Sequence, residues 1–193
     1  MTWDLTRPVD EVAPTLLGAV LWHGPVAVRL TEVEAYDGAS DPASHAYRGR
    51  TARNAVMFGP PGHLYVYFSY GMHWAANLIC GPDGLASGVL LRSGEVVEGI
   101  EVARERRGRS SDRDLARGPG RLTQALGITA EQKGAYLFDG GPLRLEPGSP
   151  PETIATGPRV GVSVEADRPW RFWAAGSRFV SDYKRSPRAP LVL

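Results

Sequence analysis

The sequence predicts a single α+β domain over residues 1–193, with a curved, mostly antiparallel β-sheet core, surrounding helices and a protruding β-hairpin. Alternating apolar and polar residues typical of strands recur along the chain, whereas helical periodicity covers only short stretches. Turns separate these segments, and the chain contains 23 glycines and 16 prolines. At 193 residues and 42% hydrophobic content, the chain suits one well-filled core rather than two full domains.

The N-terminal part of the sequence predicts a helix followed by a long strand. A helix start at residues 6–10 leads into apolar positions near helical spacing, the last of them Val20. In the next strand, residues 26–36, alternate positions begin apolar and end with Glu32, Glu34 and Tyr36. Unless a bulge shifts the register, these carboxylates emerge at the edge of the core.

Periodicity disappears between residues 37 and 62. Long ordered loops without secondary structure are often functional. After Asp41 this loop carries Arg48, Arg50 and Arg53 with no acidic residue. It is therefore either a solvated surface loop or a loop that faces phosphates.

The stretch from His63 to Asn77 has the strongest strand signal. Its first half alternates apolar residues with Tyr65, Tyr67 and Ser69, and Tyr70-Gly71-Met72 then interrupts the pattern. A glycine between strand-like segments predicts a hairpin with Tyr70 and Met72 at an exposed tip. The tip either packs under another loop or inserts between bases of a nucleic acid.

The C-terminal half predicts further strands and two helices. The expected strands cover residues 87–92, 143–145, 159–164 and 171–175. One helix includes Val96, Val97 and Ala103 and ends at Gly108, and a short helix follows Gly118-Pro119-Gly120. The Gly118-Pro119-Gly120 segment is either an ordinary turn or a site where backbone amides at the helix start bind a phosphate.

Composition and motifs exclude several function classes. Cys80 is the only cysteine, so an internal disulfide or a cysteine-based metal site is excluded. The four histidines show no ligand spacing, and we expect neither a metal nor a cofactor. Neither a secretory signal nor a membrane span is apparent, which predicts a cytoplasmic protein.

The remaining chemistry points to hydrolysis at a nucleotide. Carboxylates, arginines and aromatic residues cluster near the predicted strand ends, and a carboxylate beside a cation can activate water. Lys133 and Lys184 are the only lysines and lie far from this region in sequence, which disfavours Schiff-base attack. Aromatic walls suit a base rotated out of a duplex.

Short motifs spread over roughly residues 7 to 180 resemble the alkyladenine (3-methyladenine) DNA glycosylase family. They include residues 31–36 (TEVEAY), His45, residues 48–54 (RGRTARN), residues 64–67 (LYVY), residues 70–72 (YGM), Asn77, residues 88–92 (GVLLR), Gly118-Pro119 and residues 159–162 (RVGV). The resemblance implies a monofunctional repair enzyme that flips damaged purines and hydrolyses their N-glycosidic bond. It further implies a bacterial, nucleoid-associated monomer that binds double-stranded DNA and needs no membrane.

The resemblance also assigns roles to residues. Glu34 activates water and Arg92 lies beside that water. Tyr36, His45 and Tyr67 hold the base, and Asn77 disfavours normal guanine. Tyr70 is the intercalating wedge. The expected DNA contacts are Tyr70, Met72, Arg50, Arg53, Gly118, Pro119, Val160 and Gly161.

Two departures from the family pattern concern DNA contacts: His73 replaces another aromatic residue, and Gly120-Arg121 replaces a Ser-Lys type pair. Two alternatives to the glycosylase remain open at this point. One is a non-catalytic binder of damaged or bent DNA, and the other is a hydrolase of free nucleosides.

Overall fold

The computed structural model describes residues 3–69 and 71–190. Its eight-stranded sheet consists of β1 (Val20–His23), β2 (Val26–Asp37), β3 (Leu64–Ser69), β4 (His73–Ile79), β5 (Ser87–Glu98), β6 (Leu143–Glu146), β7 (Ile154–Gly157) and β8 (Arg171–Ala174). The strand order is β3-β4-β5-β2-β1-β6, while β8 joins β2 and β7 joins β8. Every strand pair in the described residues is antiparallel.

The two longest strands, β2 and β5, have 12 residues each and form the centre of the sheet. Their register shifts on both sides of Glu32, and such irregularities bend and twist a strand. β1 pairs with the first part of β2, and β8 pairs with Glu32–Glu34. The sheet therefore curls, which confirms the predicted curved, mostly antiparallel α+β fold.

Three α-helices within residues 3–69 and 71–190 cover the sheet: α1 (Val9–Thr15), α2 (Ile100–Arg107) and α3 (Pro119–Leu126). α3 buries Leu122, Ala125 and Leu126 and packs on β4 and β5, and α2 packs on α3. None of the helices in the described ranges is long and apolar enough to cross a membrane.

β3 and β4 carry the predicted alternation. They pair from Leu64 opposite Leu78 to Ser69 opposite His73. Gly71, in the turn, has a φ of +66°, a conformation that favours glycine. Tyr70 lies outside the described residues, so the protrusion of the hairpin stays a prediction.

The N-terminal helix is shorter than predicted. It ends at Thr15, and Val20 begins β1 instead of continuing the helix. Pro14 lies in its last turn, and Gly18 has a φ of +86°. A Cβ at Gly18 would lie 2.1 Å from the carbonyl oxygen of Ser149, so the chain turns there at a glycine.

Two predictions in the C-terminal half are also wrong. Val96 and Val97 belong to β5, which runs to Glu98, and the helix begins only at Ile100. Residues 159–164 form an irregular segment, and the strand in this region is Ile154–Gly157. Apolar runs of a few residues fit a helix or a strand equally well, so tertiary pairing decides between them.

Candidate functional site

A cavity of about 580 Å³ opens beside the β3–β4 pair. Its walls also include parts of β2 and β5, the loop after β2 and the irregular segment after β7. The predicted site residues that line it are Tyr36, His45, Arg53, Tyr67, Asn77, Arg92, Pro119, Val160 and Gly161. Residues from distant parts of the sequence thus meet around one cavity.

The other predicted site residues that the structure describes do not line the cavity. Glu34 is fully buried directly behind it, and the Gly118 amide bonds to a side chain of β5. Arg50 is exposed on the loop after β2, and Met72 is exposed beside Gly71. Tyr70 lies outside the described residues.

Glu34 is held by groups that themselves line the cavity. Its Oε1 accepts a hydrogen bond from the Val160 amide at 2.7 Å. Its Oε2 accepts bonds from the Tyr36 hydroxyl at 2.8 Å and from Arg92 Nη1 at 3.3 Å. A carboxylate offers about four acceptor positions. One position, on Oε1, therefore has no partner within the described residues.

Arg92 is almost completely buried between two carboxylates. Its Nε donates to Glu32 at 3.0 Å, while Nη1 reaches Glu34 and Nη2 donates to Ser181 at 3.3 Å. Burial alone would lower the Arg92 pKa, but Glu34 and Glu32 raise it overall. Arg92 therefore stays charged at the cavity wall.

Three aromatic residues of the cavity wall, His45, Tyr65 and Tyr67, form one contiguous group. The ring of Tyr67 stacks on Tyr65 with centroids 5.5 Å apart, and His45 meets Tyr67 edge-on at 4.5 Å. Burial raises the pKa of Tyr36 well above its ordinary value, and the adjacent Glu34 adds to the rise. The phenol of Tyr36 thus remains a hydrogen-bond donor to Glu34.

His45 contributes both a ring and a backbone amide. Desolvation of its packed side lowers the pKa of the imidazole, and the charge of Arg53 lowers it further. The ring is therefore neutral at physiological pH. Asn54 donates to the His45 carbonyl at 2.9 Å, whereas no acceptor within the described ranges meets the His45 amide.

Asn77 lies on β4 directly opposite Tyr65 of β3. Its side chain is buried at the cavity wall and donates to the Tyr65 carbonyl at 3.4 Å. This bond holds the amide end of the Asn77 side chain next to the aromatic group.

Two segments predicted to contact DNA, Gly118-Pro119 and Val160-Gly161, use their backbone amides for hydrogen bonds within the protein. The Gly118 amide donates to Ser93 Oγ at 2.9 Å, and Pro119 has no amide hydrogen. The Gly161 amide donates to the Lys184 carbonyl at 2.9 Å, and the Val160 amide is bound to Glu34. The amides of Gly118, Val160 and Gly161 are thus already engaged.

The two departures from the family pattern meet in space. His73 lines the cavity next to the start of α3. A Cβ added at Gly120 would lie 2.5 Å from the His73 ring, which is too close for any larger residue in this arrangement. Glycine at position 120 therefore accommodates histidine at position 73.

Sequence reasoning missed several wall residues. Tyr65 lines the cavity, and the alternation of β3 already placed it on the same face as Tyr67. Val162 and Val164 also line the cavity, but the sequence predicts a strand over residues 159–164 and gives no sign of a cavity wall there. Asp41 and Arg159 form a buried ion pair behind the walls, and no local pattern links residues so far apart.

Lys133 lies nearer to the cavity than its sequence position suggested. Its Nζ is 5.8 Å from the centroid of the Tyr65 ring and donates to the Arg53 carbonyl at 2.7 Å. It is not among the residues that line the cavity in the described ranges.

Comparison with known proteins is consistent with this site. A family model described as methylpurine-DNA glycosylase matches residues 4–178. A protein of Nocardia farcinica is 60% identical, covering 97% of this chain and 92% of its own length. Proteins of Frankia casuarinae and Streptomyces avermitilis are each 55% identical, covering 95% and 94% of this chain and 92% and 91% of their own lengths. All three are named, provisionally, as 3-methyladenine DNA glycosylases.

Proposed function

The chain belongs to the methylpurine-DNA glycosylase family, and on that premise we propose that it is a DNA repair glycosylase. It flips alkylated or deaminated purines out of duplex DNA, hydrolyses the N-glycosidic bond and leaves an abasic site. The observation that supports this most is the position of Glu34, a buried carboxylate directly behind an aromatic cavity with one acceptor position free.

In the proposed reaction Glu34 is the general base. A water at its free acceptor position loses a proton to the carboxylate while the water oxygen bonds to the sugar C1′. The C1′–N bond breaks, and its electron pair leaves with the purine. In an N3- or N7-alkylated purine this pair neutralises the positive charge of the ring, whereas a neutral deaminated purine takes up a proton from solvent as it leaves. Arg92, which stays charged, orients the water and meets the phosphate of the flipped nucleotide.

The cavity walls hold the base. Tyr36, His45 and Tyr67 provide aromatic surfaces, and stacking on aromatic side chains stabilises unpaired bases by about 1–3 kcal/mol each. The free His45 amide bonds to the edge of the base. Asn77, whose side-chain amide donates to the Tyr65 carbonyl, occupies the space that the amino group of guanine would need.

Four of the expected DNA contacts, Arg53, Pro119, Val160 and Gly161, line the cavity. Tyr70 fills the gap left by the flipped nucleotide, and the exposed Met72 contacts the adjacent bases. Arg50 and Arg53 meet phosphates. Because the amides of Gly118, Val160 and Gly161 are engaged internally, these residues and Pro119 contact the DNA by van der Waals packing.

We expect no lyase step. Strand cleavage after base release needs an amine that attacks the sugar carbon. Lys133 Nζ lies 5.8 Å from the centroid of the Tyr65 ring and donates to the Arg53 carbonyl, and no lysine of the described ranges lines the cavity. The product is therefore an intact strand with an abasic site.

Product analysis distinguishes this function from its alternatives. The protein is incubated with duplexes that each contain one purine lesion, with undamaged duplex and with the corresponding free nucleosides. We expect free purine from lesion duplexes and uncleaved abasic strands. Binding of lesion duplex without base release would indicate a silent DNA binder, and faster release from nucleosides than from duplexes would indicate a nucleoside hydrolase.

A further inference from the structure

Asp41 and Arg159 form an ion pair that is fully buried on both sides, with 0% exposure of each side chain. Arg159 Nη2 donates to Asp41 Oδ1 at 3.0 Å, and Nη1 donates both to Asp41 Oδ2 and, at 3.0 Å, to the Ala35 carbonyl. The guanidinium also lies 4.6 Å from the ring centroid of Tyr36. The pair is outside the reacting centre and none of the roles given above uses it.

Each residue of the pair is directly connected, along the chain, to a segment that lines the cavity. Asp41 Oδ1 accepts the Ala43 amide at 3.1 Å, and the Asp41 carbonyl accepts the Ser44 amide at 2.8 Å. These bonds shape the turn that leads to His45. On the other side, Val160 follows Arg159 immediately and donates its amide to Glu34 at 2.7 Å.

Stability does not account for such a pair. The desolvation of two buried charges offsets most of their attraction, and apolar residues of similar volume are often as stable or more stable. The bidentate geometry instead fixes two segments relative to each other, because the planar guanidinium accepts little displacement.

We propose that Asp41 and Arg159 are positioning residues that set the distance between the two cavity walls and hold the Val160 amide on Glu34. The inference rests on the proposed glycosylase function and extends it to residues that do not touch the substrate. Loss of the pair then misplaces His45 and Glu34 relative to a flipped base. Small displacements of reacting groups reduce rates by up to about 100-fold.

The test separates positioning from folding with a single and a double variant. Asp41→Asn leaves the Arg159 charge unpaired in the interior and should destabilise the protein. Asp41→Asn combined with Arg159→Met removes both charges, and its thermal stability should return close to that of the wild type. Single-turnover base release from a lesion duplex, measured with saturating enzyme, should still be reduced about 10- to 100-fold in the double variant.

A matched control changes an exposed ion pair on the same segment. Asp167 and Arg185 form a bidentate pair whose side chains are 63% and 29% exposed. Asp167→Asn should leave the rate of base release unchanged. If the double variant does not fold, the single-turnover rate of Arg159→Lys is measured instead. An ammonium keeps the charge but cannot bridge both Asp41 oxygens and the Ala35 carbonyl.

A wild-type rate in the folded double variant, or in Arg159→Lys when only that variant folds, overturns the inference. A reduced rate with restored stability supports it. Failure of the proposed function itself looks different, because the wild-type protein would then release no purine from any lesion duplex.

Discussion

Glu32 and Glu34 are two positions apart on β2 and are both fully buried, yet they differ in how many of their acceptor positions are occupied. Glu32 accepts five hydrogen bonds, which come from Arg92, Arg171, Ser93, the Ser181 amide and the Ser181 hydroxyl. These bonds fill every acceptor position of the carboxylate. Glu34 accepts three, so of the two only Glu34 has an acceptor position without a partner in the described residues, and the proposed reaction places the nucleophilic water there. The sequence placed both carboxylates at the site, but it could not rank them because their partners come from distant segments.

The groups around Glu32 make its contribution to the free energy of unfolding depend on pH. Burial alone would raise the pKa of Glu32, but Arg92, Ser93, Arg171 and the Ser181 amide lower it below its ordinary value of 4.5. The folded state therefore binds the proton more weakly than the unfolded state. The contribution is fully present above the ordinary pKa and is lost as the pH falls through and below it.

Glu32→Gln should lower the free energy of unfolding at neutral pH by about 3–5 kcal/mol, because two buried guanidinium groups lose their shared carboxylate. The variant should also lose less stability on acidification than the wild type. Urea unfolding at a series of pH values from about 7 to about 3 measures both effects. Parallel pH dependences of the two proteins would refute the assignment.

At the scale of elements, β3 is the strand whose alternation carried the most information. Tyr65, Tyr67 and Ser69 line the cavity, whereas Leu64 and Val66 enter the hydrophobic core. The period of two was sufficient to assign these faces. The segment 159–164 could not be assigned in this way, because the Arg159 ion pair and the Val160 bond to Glu34 hold it, not strand pairing.

Met72 is exposed at the turn between β3 and β4. Its substitution tests the proposed contact between this turn and DNA. Its side chain is 73% exposed, and truncating an exposed residue changes folding stability by less than about 0.5 kcal/mol. We expect Met72→Ala to weaken binding of a lesion duplex severalfold without changing the melting temperature. Fluorescence anisotropy with a labelled duplex measures the dissociation constant.

Leu85 provides the matched control for Met72. It is 64% exposed in the turn between β4 and β5 and does not line the cavity. Leu85→Ala should bind the duplex as the wild type does. Equal affinities of Met72→Ala and Leu85→Ala would remove Met72 from the DNA interface.

At the scale of the whole molecule, the site depends on contacts between residues far apart in sequence. The Val160 amide and Glu34 are separated by 126 positions, and Arg159 and Asp41 by 118. Composition and periodicity predicted the fold class and the residue types at the site. They could not predict which groups meet, because loop segments are positioned by tertiary hydrogen bonds and not by local propensity.

The charge of the whole molecule gives no indication of a DNA partner, since the formal net charge is only +1. Positive charge is instead concentrated at the cavity, where Arg48, Arg53 and Arg92 all line the wall. Binding to phosphates depends on such local charge and not on the total. For this protein the motif pattern was therefore more informative than the overall charge.

The central claim is that Glu34 supplies the base for hydrolysis inside this cavity, and the single-turnover rate of base release tests it most directly. Wild type, Glu34→Gln and the exposed control Glu131→Gln are compared on one lesion duplex at saturating enzyme, together with their dissociation constants. The account predicts that Glu34→Gln binds the duplex within a few-fold of the wild type and releases base about 100- to 10,000-fold more slowly, while Glu131→Gln matches the wild type. Release by Glu34→Gln at the wild-type rate would contradict the account.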